Sequence, residues 1–235
     1  MKLVSGSGSE TTGACWMSAI NWYVKSGSKG FTWSDHPDCV DPVIRALCIS
    51  LNDSCGSDAE REKLIGPHLF APVGTHIGND LTLRRAFKCA DHAVRKSAVA
   101  ALRSAKFNQE AGRLESLPEI VNADTAESAR SAAESAAGVD GAARNAVLCA
   151  RNAAWSAAES AAESAESAAR SAVLCARNAA WSAAERAAWS AARSAANVEI
   201  LNLILELCAM GSSQPEVCRT KEEVLERLET GSFVK

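Results

Sequence analysis

Residues 142–197, AARNAVLCARNAAWSAAESAAESAESAARSAVLCARNAAWSAAERAAWSAARSAAN, decide the fold. The stretch holds no Gly and no Pro, and 25 of its 56 residues are Ala. Ala loses no side-chain entropy on entering a helix, so helix is favoured here before any packing is considered. Steps of four, four and three residues from Ala150 land on Ala154, Ala158, Ala161, Ala165, Ala169, Ala172, Ala176, Ala180, Ala183, Ala187 and Ala191. This track repeats every 11 residues, or about 3.67 per turn, so the alanine seam runs almost straight along a helix. A neighbouring track carries Ser156, Ser160, Ser164, Ser167, Ser171, Cys175, Asn178 and Ser182, and a third collects Arg151, Trp155, Glu159, Glu163, Glu166, Arg170, Trp181 and Glu185.

An alanine seam buries little area per turn but lets another backbone approach closely, so it predicts a partner helix rather than a solvated low-complexity rod. Ice binding by a flat alanine face is disfavoured, because regular Thr is absent while Glu and Arg abound. Continuous helix is expected from about Ala142 to Met210, ended by Gly211. Some 69 residues at about 1.5 Å each would span about 100 Å. The arm must then fold into a hairpin or project as a coiled coil that pairs with another chain. The fourteen residues Ala146–Glu159 recur letter for letter as Ala172–Glu185. The offset of 26 residues does not fit the 11-residue seam, so it reads as a tandem duplication and not as a solenoid.

Upstream, apolar residues recur at helical spacing in shorter runs. A helix is expected from Thr12, with Trp16, Ala19, Ile20 and Tyr23 on one side. Asp41 caps a second, Pro42 suits its first turn, and Ile44, Leu47, Cys48 and Leu51 form its stripe. Ser57 and Glu60 make a capping box for a short helix closed at Gly66–Pro67. One helix is expected over about Asp80–Ser104, another over Phe107–Leu117, and a third starting at a box of Asp124 and Glu127. No stretch alternates with period two, so no sheet is expected. The predicted fold is all-α. A flexible terminus (1–11) precedes a domain of short helices (12–117), the alanine-rich hairpin or arm (118–210), and a polar tail (211–235) with a short helix near Lys221–Leu228.

The chain has 235 residues and a net charge of −3, which leaves no electrostatic footprint for nucleic acid. No apolar run reaches membrane-spanning length and no signal-peptide core is visible, so neither a membrane nor export is expected. Nine Cys, an odd number without tight spacing, fit free thiols in a reducing compartment, and cytoplasm is the expected location.

The N-terminal third carries the chemistry-bearing residues, in three arrangements. Cys15 near a helix start, with His36 as base and Asp35 or Asp53 as orienting acid, would make a nucleophile. Cys15, His36, Cys39, Cys48 and Cys55 offer zinc-ligand types, but no C-x-x-C pair exists and Cys48 lies on an apolar stripe, so no metal is expected. Trp16 and Trp33 can stack a planar group while Arg45 and Arg84 or Arg85 hold phosphate or carboxylate, with His36, Asn52, Asp53 and Thr75 adding hydrogen bonds. The plainer reading gives these residues to caps, core anchors and an Arg45–Asp53 pair. No cofactor is implied.

Cys15-Trp16-Met17-Ser18-Ala19, Trp33-Ser34-Asp35-His36-Pro37, Cys39-Val40-Asp41-Pro42, Leu51-Asn52-Asp53 and Pro72-Val73-Gly74-Thr75, followed by the Ala/Ser/Glu/Trp tract, resemble a group of uncharacterised phage and bacterial proteins. The resemblance covers most of the chain. It implies a phage-associated cytoplasmic protein and brings no activity, fold or ligand with it. The expected function is that of a non-catalytic helical interaction or assembly protein, a homo-oligomer joined through the alanine seam. A binder of a small, nucleotide-like anion ranks second and a Cys-dependent hydrolase third.

Overall fold

The structure, a computed structural model, describes residues 2–6, 9, 11–25, 31–138, 141–158, 162–183 and 189–210. It is all-α: among the described residues the only β pairing is two isolated bridges, Leu3 with Ala14 and Ser9 with Gly13. The chain divides into two units, Met1–Gly78 with the segment from Ile204, and Asn79–Leu203. The division thus falls after Gly78 and not after Leu117. The helices that follow Gly78 bury Ala86, Ala90, Ala93 and Ala101 and pack with the alanine-rich helices.

In the first unit, α1 (Trp16–Lys25) packs on α2 (Pro42–Ser54). Asp41 is the cap that the sequence predicts, its carboxylate accepting from the backbone N–H of Val43 at 2.9 Å and of Ile44 at 3.5 Å. The capping box of α3 (Asp58–Ile65) also forms. The Ser57 hydroxyl accepts from Glu60 N–H at 3.2 Å, and the Glu60 carboxylate reaches back to Gly56 N–H at 2.7 Å. A 3₁₀ turn, Gly66–His68, closes that helix.

The N-terminus departs from expectation. Its described residues are tied down, with Val4 N–H bonded to Ala14 C=O and Ala14 N–H to Lys2 C=O, both at 3.0 Å. Leu3 is buried, and Lys2 pairs with Asp58 at 2.9 Å. Gly13 permits this crossing. Its φ is +92°, and a Cβ there would lie 2.5 Å from the Lys2 carbonyl oxygen.

The second unit begins with α4 (Asn79–Asp91), which continues into a π-helical segment (His92–Ala98) and α5 (Val99–Ser104). The single helix expected over Asp80–Ser104 is thus widened in its middle, a feature with no periodicity signature. Then come α6 (Asn108–Glu115) and α7 (Ala123–Ala136). The cap of α7 is Asn122 paired with Thr125, not Asp124 with Glu127; Glu127 instead holds Arg130 through two bonds, at 2.5 and 2.8 Å.

The alanine-rich stretch comprises α8 (Gly141–Ala158), α9 (Ala162–Ala183) and α10 (Trp189–Ala209), whose residues from Ile204 belong to the first unit. The expected unbroken helix is overturned by one distance. The Cys175 sulfur lies 3.2 Å from the Ala146 carbonyl oxygen, whereas 29 residues of continuous helix would set them about 44 Å apart. Hence α8 and α9 lie side by side, as a hairpin, and pack on each other, on α4 and on the π segment, with α7 against α8. No described helix is long and apolar enough to cross a membrane. The expected tail helix near Lys221–Leu228 lies outside the described residues.

Candidate functional site

The residues offered as a ligand pocket are, in the first unit, mostly occupied with one another. Trp16 is fully buried; its indole N–H donates to Leu69 C=O at 2.8 Å and its backbone N–H to the Asn52 side-chain oxygen at 3.2 Å. Asn52 is fully buried too, and its amide nitrogen donates to Val4 C=O at 3.2 Å and to the Asp53 carboxylate at 3.4 Å. Thr75 accepts from Asp41 N–H at 3.1 Å and donates to Pro72 C=O at 2.7 Å. These side chains splice the N-terminal segment, α1, α2 and the Pro72–Thr75 turn together. Buried polar groups with partners of this kind stabilise a fold and leave little bonding capacity for a ligand.

The remaining candidates lie nearer solvent. Trp33 is half-buried and stacks edge-on against Phe31, with ring centroids 5.7 Å apart. Arg45 is half-buried on α2 and Asp53 is exposed near its end. Arg84 is exposed and its neighbour Arg85 fully buried, both on α4 of the second unit.

The nucleophile trio is brought together only in part. Asp35 and His36 join through Oδ1 and Nδ1 at 2.5 Å, on the surface. Cys15 is buried, donates to the Ser18 hydroxyl at 3.2 Å and accepts from Ser18 N–H at 3.4 Å. Cys39, Cys48 and Cys55 are buried as well, and burial, with Cys208 close by, pushes the Cys48 thiol well up. Among the described residues no three His, Cys, Asp or Glu side chains are placed to hold a metal ion.

The alanine seam can be followed at four positions. Ala150, Ala154, Ala172 and Ala176 are all buried within the chain. The side chains of Ala158, Ala161, Ala165, Ala169, Ala180, Ala183, Ala187 and Ala191 lie outside those described. The two copies of the duplicated unit turn the same residues inward: Ala146 and Ala172, Val147 and Val173, Ala150 and Ala176. They also touch. The Cys175 thiol reaches the carbonyls of Ala146 and of Ala93, each at 3.2 Å, and the Asn178 amide donates to the Cys149 sulfur at 3.4 Å. Burial drives the Cys175 thiol well up, so it acts as a neutral donor. Outward from the same helices stand Trp155, 54% exposed, and Leu174, 48% exposed.

One polar cluster escapes sequence reasoning. His92, buried at the head of the π segment, places Nε2 2.8 Å from the Glu199 carboxylate of α10. The contact with His92 outweighs partial burial and, aided by Lys96 and Ser97, holds the Glu199 carboxyl below the ordinary glutamate range. Over a hundred residues separate the partners, and no local pattern links them. Neither family models nor comparison with curated proteins and solved structures yields a match for this chain.

Proposed function

We propose that this is a non-catalytic helical assembly protein that associates with further copies of itself through its duplicated alanine-rich helices. The observation that carries the reading is the contact between the first residues of the two copies, Cys175 with Ala146 and Asn178 with Cys149. The contacts join different positions of one repeated sequence, so a copy of that sequence on another chain carries both sides of the same interface. The engagement of Trp16, Asn52, Thr75 and Cys15 with internal partners also favours a structural role for the first unit over ligand capture or nucleophilic catalysis.

Sedimentation velocity of the full chain over a wide concentration range tests the reading. The expected result is a species heavier than the 24.7 kDa chain whose share grows with concentration. A single species of chain mass throughout would reject it.

A further inference from the structure

Each copy of the duplicated unit carries one cysteine at the same position, Cys149 in the first and Cys175 in the second, and both are free thiols. The Cys175 thiol donates to the Ala146 carbonyl at 3.2 Å, and the Cys149 sulfur accepts from the Asn178 amide at 3.4 Å. Ala146 and Cys149 are i, i+3 neighbours on one face of α8, as are Cys175 and Asn178 on α9. Each bond therefore starts at one cysteine and ends a turn away from the other. The two sulfurs face each other across the helix pair, offset by no more than about one turn, or about 5.4 Å. Cys149 is near enough that a negative charge on it drives the Cys175 thiol further up. Ala146, Ala150, Ala172 and Ala176 flank the thiols and are all buried, so no bulky side chain among them holds the helices apart. That suits a bridge whose Cα atoms stand about 4.4–6.8 Å apart.

We propose that Cys149 and Cys175 form a dithiol modification site, oxidised by peroxide to a disulfide that joins α8 to α9 within one chain. The inference stands apart from self-association, since the bond needs no second molecule. The two thiols have different roles. Cys149 is half-buried and so within reach of a small oxidant, and the Asn178 amide favours its thiolate against the opposing effect of burial. Cys175 is fully buried and lies behind it. The Cys149 thiolate attacks one peroxide oxygen, the O–O bond breaks and hydroxide leaves, so Cys149 becomes a sulfenic acid. The Cys175 sulfur then attacks the Cys149 sulfur. The S–S bond forms, the S–O bond breaks, and the departing hydroxide takes the Cys175 proton as water. Two electrons pass from the thiols to hydrogen peroxide, which ends as two waters once the Cys149 proton is counted. Oxidation also removes the proton that Cys175 shares with the Ala93 carbonyl of the π segment. A hydrogen bond from α9 to the π segment is thus exchanged for a covalent bond from α9 to α8.

The test treats the folded, reduced full chain with hydrogen peroxide, blocks the remaining thiols in urea, and separates the products by size without reductant. Trypsin releases Cys149 in residues 145–151 and Cys175 in residues 171–177, peptides that differ only at their first residue, Asn145 against Ser171. Mass spectrometry therefore tells a mixed pair from a pair of like peptides. The expected result is the mixed pair, from the band of single-chain mass, lost on reduction. Its absence, its appearance only when peroxide is added in urea, or its confinement to the band of double mass would overturn the proposal. Two variants test the order of attack. With Cys175→Ala, Cys149 should accumulate as a sulfenic acid that dimedone traps, and with Cys149→Ala, Cys175 should stay a thiol. Dimedone labelling of Cys175 and not of Cys149 would overturn the roles given to the two thiols. The unsubstituted chain decides whether the bond forms even where a variant folds poorly.

Discussion

Single residues here do work that their neighbours in sequence do not reveal. Gly13 is the clearest case. Its φ of +92° and the 2.5 Å approach of the Lys2 carbonyl to a would-be Cβ make Gly13→Ala costly, by about 1–3 kcal/mol in chemical denaturation. An unchanged midpoint would mean that the crossing of residues 2–6 over Gly13 is not part of the folded core. Glu199 carries a pH signature. Its carboxyl is held below the ordinary value in the fold, so its contribution is present above the unfolded value near 4.3 and is lost as pH falls through the folded one. Glu199 remains 43% exposed, so solvent screening keeps the effect to about 1 kcal/mol or less. Glu199→Gln should lower the melting temperature slightly at neutral pH, with the difference shrinking as pH falls from the unfolded value through the lowered folded one, whereas a constant offset at all pH values would contradict the account. Cys15, buried against Ser18, should alkylate far more slowly in the native chain than in urea. These roles were only partly legible beforehand: the Asp41 cap is a local signal, whereas the Gly13 crossing and the His92–Glu199 pair depend on residues distant in sequence.

For helices, legibility follows the range of the forces that set them. The starts of α2 and α3 are written in side chains one to three residues from the backbone groups they satisfy, and they form as the sequence predicts. The π segment in the middle of the Asp80–Ser104 run, and the replacement of the Asp124–Glu127 box by Asn122 and Thr125, reflect competition that propensity does not encode. The alanine-rich stretch shows the same limit. Propensity specifies helix at each described residue of α8 and α9, but being helix-favouring throughout does not keep a segment straight when folding back buries more surface. The consequence is testable at Ala172, which is buried, and at Arg177, which is exposed on the same helix. Ala172→Leu should destabilise by about 1–3 kcal/mol through overpacking, and Arg177→Leu should change stability little. Equal tolerance at the two positions would place the α9 seam in solvent.

For the whole molecule, the all-α class was legible from the absence of period-two alternation and from composition, but the domain boundary was not. Helices α4–α6 look like a continuation of the N-terminal helices, and only their contacts assign them to the alanine-rich unit. The candidate pocket was legible only as a list of residue types; that Trp16, Asn52 and Thr75 make their hydrogen bonds inside the fold depends on partners distant in sequence. The duplication, by contrast, was plain in the sequence, and the structure adds that its copies are neighbours. The central claim is that this neighbourhood makes the chain its own partner. Sedimentation velocity across a wide concentration range addresses it most directly. The account predicts a concentration-dependent species heavier than the 24.7 kDa chain, and a single boundary of that mass at every concentration would contradict it.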